Sequence, residues 1–256
     1  MTDADPVARA LSGLAAPPPA DLADRVFASW VEAPGPLGPV YVAFTDQGIS
    51  SVCPADVLDG DPERFAEEFR TRFGRPVRPA AKPPAGLIPA LRTGRATGLR
   101  FDLRGVGEFD RAVLAKTLEI PPGETRPYSW VAREIGRPRA VRAAGSALGR
   151  NPVPLLIPCH RVVRNDLAPG NYGFGPALKQ ELLRAERVNL DECRALARKG
   201  VHFVASDTTG VFCYPSCTHA RRITEEHRIG FPTADRAVDA GYRPCRHCRP
   251  APDAAA

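Results

Sequence analysis

Two close pairs of cysteines near the C-terminus, Cys213-x3-Cys217 and Cys245-x2-Cys248, constrain this chain more than any other feature. Four thiolates in two short-spaced pairs suit closed tetrahedral coordination of one zinc ion. Residues 191–256 around them have few large apolar side chains, so metal ligation is expected to supply much of that region's stability. His202, His219, His227 and His247 lie nearby, but four cysteines already complete the shell. Cys53, Cys159 and Cys193 stand alone, which makes an odd total of seven. The chain starts MTDADPVARA, without a basic segment followed by an apolar one, so no secretory signal is expected. In the soluble, cytoplasmic and reducing setting this implies, paired cysteines hold metal rather than form disulfides.

At 256 residues the chain can bury sizeable cores, and one or two domains plus a small module are expected. No apolar run approaches the roughly 20 residues needed to span a bilayer. The 22 glycines and 28 prolines predict many turns and ordered loops. Charge is unevenly placed. Residues 124–190 carry 11 basic and 5 acidic residues, a net +6 that equals the excess of the whole chain. Ten of those eleven cations are arginines, and guanidinium pairs bidentately with phosphate, so this third is a candidate nucleic-acid face. A solvated basic surface is the competing explanation.

Residues 1–25 read as a loosely ordered leader. From Trp30 to Cys53, PLGPVYVAF and ISSVC flank a turn at Thr45–Gly48, the pattern of a hairpin. Pro62 to Phe73 has apolar residues at helical spacing. Residues 76–90 are Pro/Ala-rich and expected to be extended, and residues 99–105 resemble a last strand. Glu108 to Leu118 fits a helix. A short helix from Trp130 to Ile135, capped by Ser129, is followed by a Gly136 turn and a helix from Arg139 to Leu148, a helix-turn-helix candidate. The apolar run Val153–Ile157 leads to Pro158-Cys159-His160-Arg161, and helices are expected over 176–187 and 191–198. Residues 201–212 read as strand, turn and strand, delivering Cys213.

A thiol followed at once by His160 and Arg161 is by itself better explained as an inert buried cysteine than as a nucleophile. Its surroundings say more. NPVPLLIPCHRVV (151–163), with RPRAVRAAGSALGR before it, GNYGFG after it, LLRAE at 182–186 and FDRAVLAKTLEIPPGETRPYSW at 109–130, resembles the O6-alkylguanine-DNA alkyltransferases. The resemblance implies that Cys159 irreversibly accepts the alkyl group from guanine O6. It makes His160 the base acting through a water, Glu186 the carboxylate that orients it, and Asn151 the organiser of the active-site turn. Arg142 matches the arginine inserted where the flipped base had been, and Tyr128 the tyrosine that helps rotate the nucleotide. Tyr172 lies in the substrate-binding loop. Arg161 joins this expected DNA- and substrate-binding set, as does Phe174, which stands where some members have glycine and is expected to narrow the pocket in favour of methyl over bulkier groups. Extruding the base costs a few kcal/mol, which an arginine-rich grip offsets.

DTTGVFCYPSC (207–217) and GYRPCRHCRP (241–250) resemble the zinc domain of Ada-type adaptive-response proteins. That resemblance implies a zinc-bound Cys213 taking a methyl group from a DNA methylphosphotriester, with Arg221, Arg222, Arg243, Arg246 and Arg249 near phosphates. Only eight residues follow Cys248, so no transcription-activating module is expected. The fold expected is α+β and multidomain: a small α/β, ribonuclease H-like scaffold over 1–105, a helical alkyltransferase domain over 106–190 and a four-cysteine zinc domain over 191–256. The partner expected is double-stranded DNA carrying alkylated guanine or methylphosphotriester, met by a monomer without membrane contact and without an organic cofactor. Each thiol would act once. Two alternatives are a non-catalytic lesion-binding or regulatory protein with a structural zinc, and a sensor whose methylated zinc domain recruits a partner.

Overall fold

The computed structural model describes Ala23 and residues 26–251, so the leader expected over residues 1–25 lies, Ala23 apart, outside the described residues. The alternating pattern after Trp30 becomes three antiparallel strands, β1 (Ala28–Gly35), β2 (Gly38–Thr45) and β3 (Gly48–Pro54). β4 (Val77–Pro79) adds parallel to β1, giving the order β3-β2-β1-β4. The β2–β3 turn is where the sequence placed it, with Thr45 opposite Gly48. Gly48 has φ +140°, and a Cβ there would lie 2.3 Å from the Arg100 carbonyl oxygen, so the close approach of the two chains needs glycine. α1 (Pro62–Phe73) begins at Asp61, whose carboxylate accepts the Glu63 and Arg64 N–H groups, and stops at Gly74 in the left-handed region. It buries Phe65 and Phe69 against the sheet, with the Phe65 ring 5.4 Å from that of Tyr41.

Two expectations for this region are corrected. Residues 76–90 are not extended throughout: after Gly86 (φ +81°) the chain turns into α2 (Leu87–Thr93), because Leu87, Ala90 and Leu91 form a buried helical face. Residues 99–105 form no strand. Phe101 makes one bridge to Ile49, and the Asp102 carboxylate then accepts the Arg104 N–H and guanidinium, which curls the chain away from the sheet.

The middle third is mainly helical: α3 (Glu108–Thr117), α4 (Tyr128–Glu134), α5 (Val141–Gly149) and α6 (Pro176–Ala185). A short parallel pair, β5 (Arg126–Pro127) with β6 (Val162–Val163), crosses it. α4 and α5 are the two helices expected around Gly136. Ser129 does not cap α4, however. The helix already starts at Tyr128 after Pro127, and Ser129 Oγ donates instead to Asn165 Oδ1 at 2.8 Å. Val153 to Ile157 is buried as expected.

α7 (Leu190–Arg198) leads into β7 (Phe203–Ser206), β8 (Val211–Cys213), β9 (Arg228–Phe231), α8 (Ala234–Asp239) and β10 (Arg243–Pro244). The sheet order is β10-β8-β7-β9. β10 runs parallel to β8 with Arg243 opposite Val211, and the Cys245 N–H donates to the Phe212 carbonyl at 2.9 Å. That pairing carries the second cysteine pair to the first. Val204, Tyr214, Ala220 and the four cysteines belong to the same continuous buried cluster as Leu114, Trp130 and Leu156. Among the described residues no helix is long and apolar enough to cross a membrane.

Candidate functional site

Cys159 opens a single 3-10 turn (Cys159–Arg161) directly after the buried apolar run. The turn supplies the bend that a Cys-His neighbour pair needs, since an extended chain would send the two side chains to opposite faces. Asn151 organises the preceding loop. Its Nδ2 donates to the Ile157 carbonyl at 2.9 Å and to Cys159 Sγ at 3.1 Å, while its Oδ1 accepts the Val153 N–H at 3.0 Å. One buried amide thus ties both ends of the loop and touches the sulfur. Leu155, between them, sits at φ +71°, a strained conformation for a branched side chain that its surroundings must hold.

Burial pushes the Cys159 thiol up, and the Asn151 hydrogen bond and the Lys179 ammonium work against it. Lys179 is completely buried on α6, donating from Nζ to the carbonyls of Val162 (2.6 Å) and Asn171 (3.3 Å) and lying 5.6 Å from the Tyr128 ring. Burial lowers its pKa to about 8, against the pull of Cys159. His160 Nε2 meets Glu186 Oε1 at 2.9 Å. Burial alone would raise the Glu186 carboxyl, but hydrogen bonds from His160 and Arg161 outweigh it and hold the group at about 2. Burial likewise lowers His160, with Glu186 opposing. An ionised Glu186 accepts from Nε2–H, which leaves the lone pair on Nδ1. That Nδ1 is buried with no partner among the described residues.

A cavity of about 610 Å³ opens over the sulfur, lined among others by Tyr128, Arg142, Ser146, Cys159, Asn171 and Tyr172. Arg142 is exposed at its edge on α5. Burial, then Cys159, raises the phenols of Tyr128 and Tyr172, so both stay hydroxyls at neutral pH. Two sequence expectations change here. Arg161 is not placed for DNA contact: it is 2% exposed and spent on Glu186, the Ile120 carbonyl (2.7 Å) and the Gly94 carbonyl (2.8 Å). Phe174 does not line this cavity; its ring stands edge-on to Tyr172 at 5.6 Å, so it meets the pocket only through that tyrosine.

The sulfurs of Cys213, Cys217, Cys245 and Cys248 all lie within 4.8 Å of one another, buried and unbridged by disulfides. Hydrogen bonds among the four thiols pull Cys217 and Cys245 down and push Cys213 and Cys248 up, with the N–H groups of His219 and Ala220 also lowering Cys217. Four converging sulfurs with backbone donors behind them fit a tetrahedral divalent ion of zinc's kind. Cys213 and Cys245 face a second cavity, about 570 Å³, whose lining includes His219, Arg222, Arg243 and Arg246. Arg249 is not available to phosphate in the same way, being paired with Glu119 (2.7 Å) and Glu134 (3.0 Å). Of the histidines near the cluster, His227 pairs with Asp207, while His247 pairs with Glu124 at the edge of the cluster, where both reach within 4.8 Å of the Cys217 sulfur.

Two residues escaped the sequence reading. Lys179 was recoverable, because it stands three and four positions before Leu182 and Leu183 and so shares their buried face. Glu124 was not: it is 2% exposed and, besides its neighbour Arg126, holds the Thr218 N–H and His247, partners brought to it only by the folded chain.

Residues 108–188 match the family model described as the 6-O-methylguanine DNA methyltransferase DNA binding domain, and residues 191–251 match the metal binding domain of Ada. The chain is 34% identical over 156 residues to a methylated-DNA–protein-cysteine methyltransferase of Methanosarcina barkeri, covering 60% of this chain and 94% of that protein. It is 36% identical over 164 residues to the bifunctional transcriptional activator/DNA repair enzyme Ada of Escherichia coli, of which it spans 44%. Among solved structures it resembles the Mycobacterium tuberculosis OGT in complex with DNA, with 29% identity, a TM-score of 0.51, and coverage of 65% of this chain and 99% of that one.

Proposed function

The chain belongs to the methylated-DNA–protein-cysteine methyltransferases, DNA-repair enzymes, and carries an Ada-type zinc domain; we propose that Cys159 is the acceptor for the methyl group of O6-methylguanine. The observation that carries this is a thiol that lines a cavity with the Asn151 amide on its sulfur and stands in the same turn as His160, which pairs with Glu186 and whose Nδ1 is unpartnered among the described residues. His160 Nδ1 takes the thiol proton through a water. The sulfur attacks the methyl carbon, so an S–C bond forms as the C–O6 bond breaks. The electron pair returns to O6 and is shared with N1, which takes back the proton that His160 and its water removed from the thiol, leaving guanine and S-methylcysteine. Asn151 and Lys179 stabilise the thiolate that burial disfavours. Tyr128 and Tyr172 bound the extruded base, and Arg142 fills the gap in the duplex. Nothing regenerates the thiol, so each molecule acts once. The antiparallel β1–β3 meander with parallel β4 supports a ribonuclease H-like scaffold up to residue 105, before the alkyltransferase region (106–190) and the zinc region (191–256).

For the zinc region, one ion held by Cys213, Cys217, Cys245 and Cys248 would keep all four sulfurs deprotonated at neutral pH. Cys213 is the sulfur proposed to take a methyl from a methylphosphotriester. Its place on a cavity rimmed by Arg222, Arg243 and Arg246 supports that reading. The test is peptide mass spectrometry of zinc-loaded protein after incubation with two duplexes. The expected result is methyl on Cys159 from the O6-methylguanine duplex and on Cys213 from the methylphosphotriester duplex. Methyl on neither would overturn the acceptor assignments, and methyl on Cys159 alone would leave the zinc region without transfer chemistry.

A further inference from the structure

Residues 121–127 (PPGETRP) run between the guanine site and the cysteine cluster and are gripped from both sides. On one side the Gly123 N–H donates to Glu186 Oε2 at 3.2 Å, the same carboxylate that holds His160. The loop lies so close that a Cβ at Gly123, itself at φ +78°, would fall 2.9 Å from the Glu186 carbonyl oxygen. On the other side, Glu124 Oε1 accepts the Thr218 N–H at 3.0 Å and meets His247 Nε2 at 2.9 Å. Thr125 donates its N–H to Ser216 Oγ at 2.9 Å, and Ser216 Oγ also reaches the Thr125 carbonyl at 3.2 Å. The Arg126 guanidinium, paired with Glu124 at 2.6 Å, lies 5.8 Å from the rings of both Trp130 and Tyr214.

The grips have a common origin. Ser216 and Thr218 flank Cys217, and His247 directly precedes Cys248. Ligation of one ion by those cysteines fixes the spacing between the residues that hold the loop. Glu124, Arg126, Thr125 and Ser216 are all buried, so these contacts are not screened by water and an unmade one is costly.

We propose that residues 121–127 brace the guanine site on the zinc region, with Glu124 and Ser216 as positioning residues that keep the Glu186 carboxylate aligned on His160. The zinc region is then part of the scaffold of the first site, whatever transfer it performs at Cys213. Only the methyl-transfer arm of the test rests on the assignment of Cys159 as acceptor.

The experiment compares the full-length, zinc-loaded protein with Ser216→Ala and Glu124→Gln. Because Glu124→Gln also leaves the buried Arg126 uncompensated, Ser216→Ala, which removes no charge, is the companion that keeps the result readable. Zinc content, measured for each, is expected to equal wild type. Exchange of the Gly123 amide, read by NMR, is expected to rise about tenfold in both variants although neither touches its acceptor. Transfer from O6-methylguanine is expected to slow about tenfold, with the acid limb of the rate profile moving to lower pH as His160 loses its carboxylate partner. A fall in rate without movement of that limb, or Gly123 exchange at the wild-type rate in zinc-loaded Ser216→Ala, would overturn the brace. If wild-type protein transfers no methyl to Cys159, the acceptor assignment fails, and Gly123 exchange still decides the proposal.

Discussion

At the scale of single residues, the proposed acceptor Cys159 is a buried thiol surrounded by groups that offset its burial unequally. Asn151 donates directly to Sγ, Lys179 acts through charge, and Glu186 acts one step away through His160. Glu186 has the most readable consequence for stability. Its carboxyl lies at about 2 in the fold against an ordinary 4.5, so the folded state binds fewer protons than the unfolded one between those values. Its contribution is complete above pH 4.5 and is lost as the pH falls toward 2. The shift corresponds to about 3 kcal/mol. Urea titrations of Glu186→Gln should therefore show lower stability at neutral pH and a flatter fall through the acid window. An unchanged acid slope would place the acid sensitivity elsewhere. Cys159, His160 and Glu186 were legible in the sequence through motif resemblance, whereas the burial of Arg161 was not. A cation beside a motif histidine carries no signal of whether its partner is phosphate or a carboxylate 25 positions away.

At the scale of elements, the ends are where chemistry and fold meet. α2 stops at Gly94 (φ +65°), whose carbonyl accepts from Arg161 Nη2. A Cβ there would lie 2.6 Å from that Nη2 and 3.4 Å from Glu186 Oε1. Arg161 is a flexible side chain, but here it is pinned by four acceptor atoms and cannot swing aside cheaply. Gly94→Ala should cost about 1–3 kcal/mol from left-handed strain and the displaced guanidinium, read as a lower melting temperature together with slower methyl transfer. Equal melting temperatures would show that the loop relaxes around the methyl group. The boundaries of α1 were legible because Asp61-Pro62 and Gly74 are local start and stop signals. Those of α4 were not, since Ser129 finds Asn165, a partner 36 positions away, and leaves the capping role its sequence position suggested.

At the scale of the molecule, the zinc region has a small apolar cluster of its own, Ala205, Phe212, Ala234 and Ala237, but its four cysteines, Val204 and Tyr214 belong to the buried cluster of the helices around Cys159. Arg249 extends that contact, with its guanidinium 5.3 Å from the Trp130 ring and its carbonyl accepting from Arg133. Removal of zinc by a chelator should accordingly lower the melting temperature of the whole protein in one calorimetric transition. Two transitions, one unchanged, would show that the regions melt independently. Sequence alone determined what depends on neighbours and short spacings: the hairpin after Trp30, α1, the two cysteine pairs, and the residues of the alkyltransferase motifs. Tertiary structure alone decided what depends on distant groups meeting out of water. It converted Arg161 from a surface cation into a buried partner of Glu186, drew Lys179 beneath Cys159, and set Glu124 between the two sites. The physical reason is that a buried charge is stable only beside its counterpart, and the chain must fold before that counterpart is near.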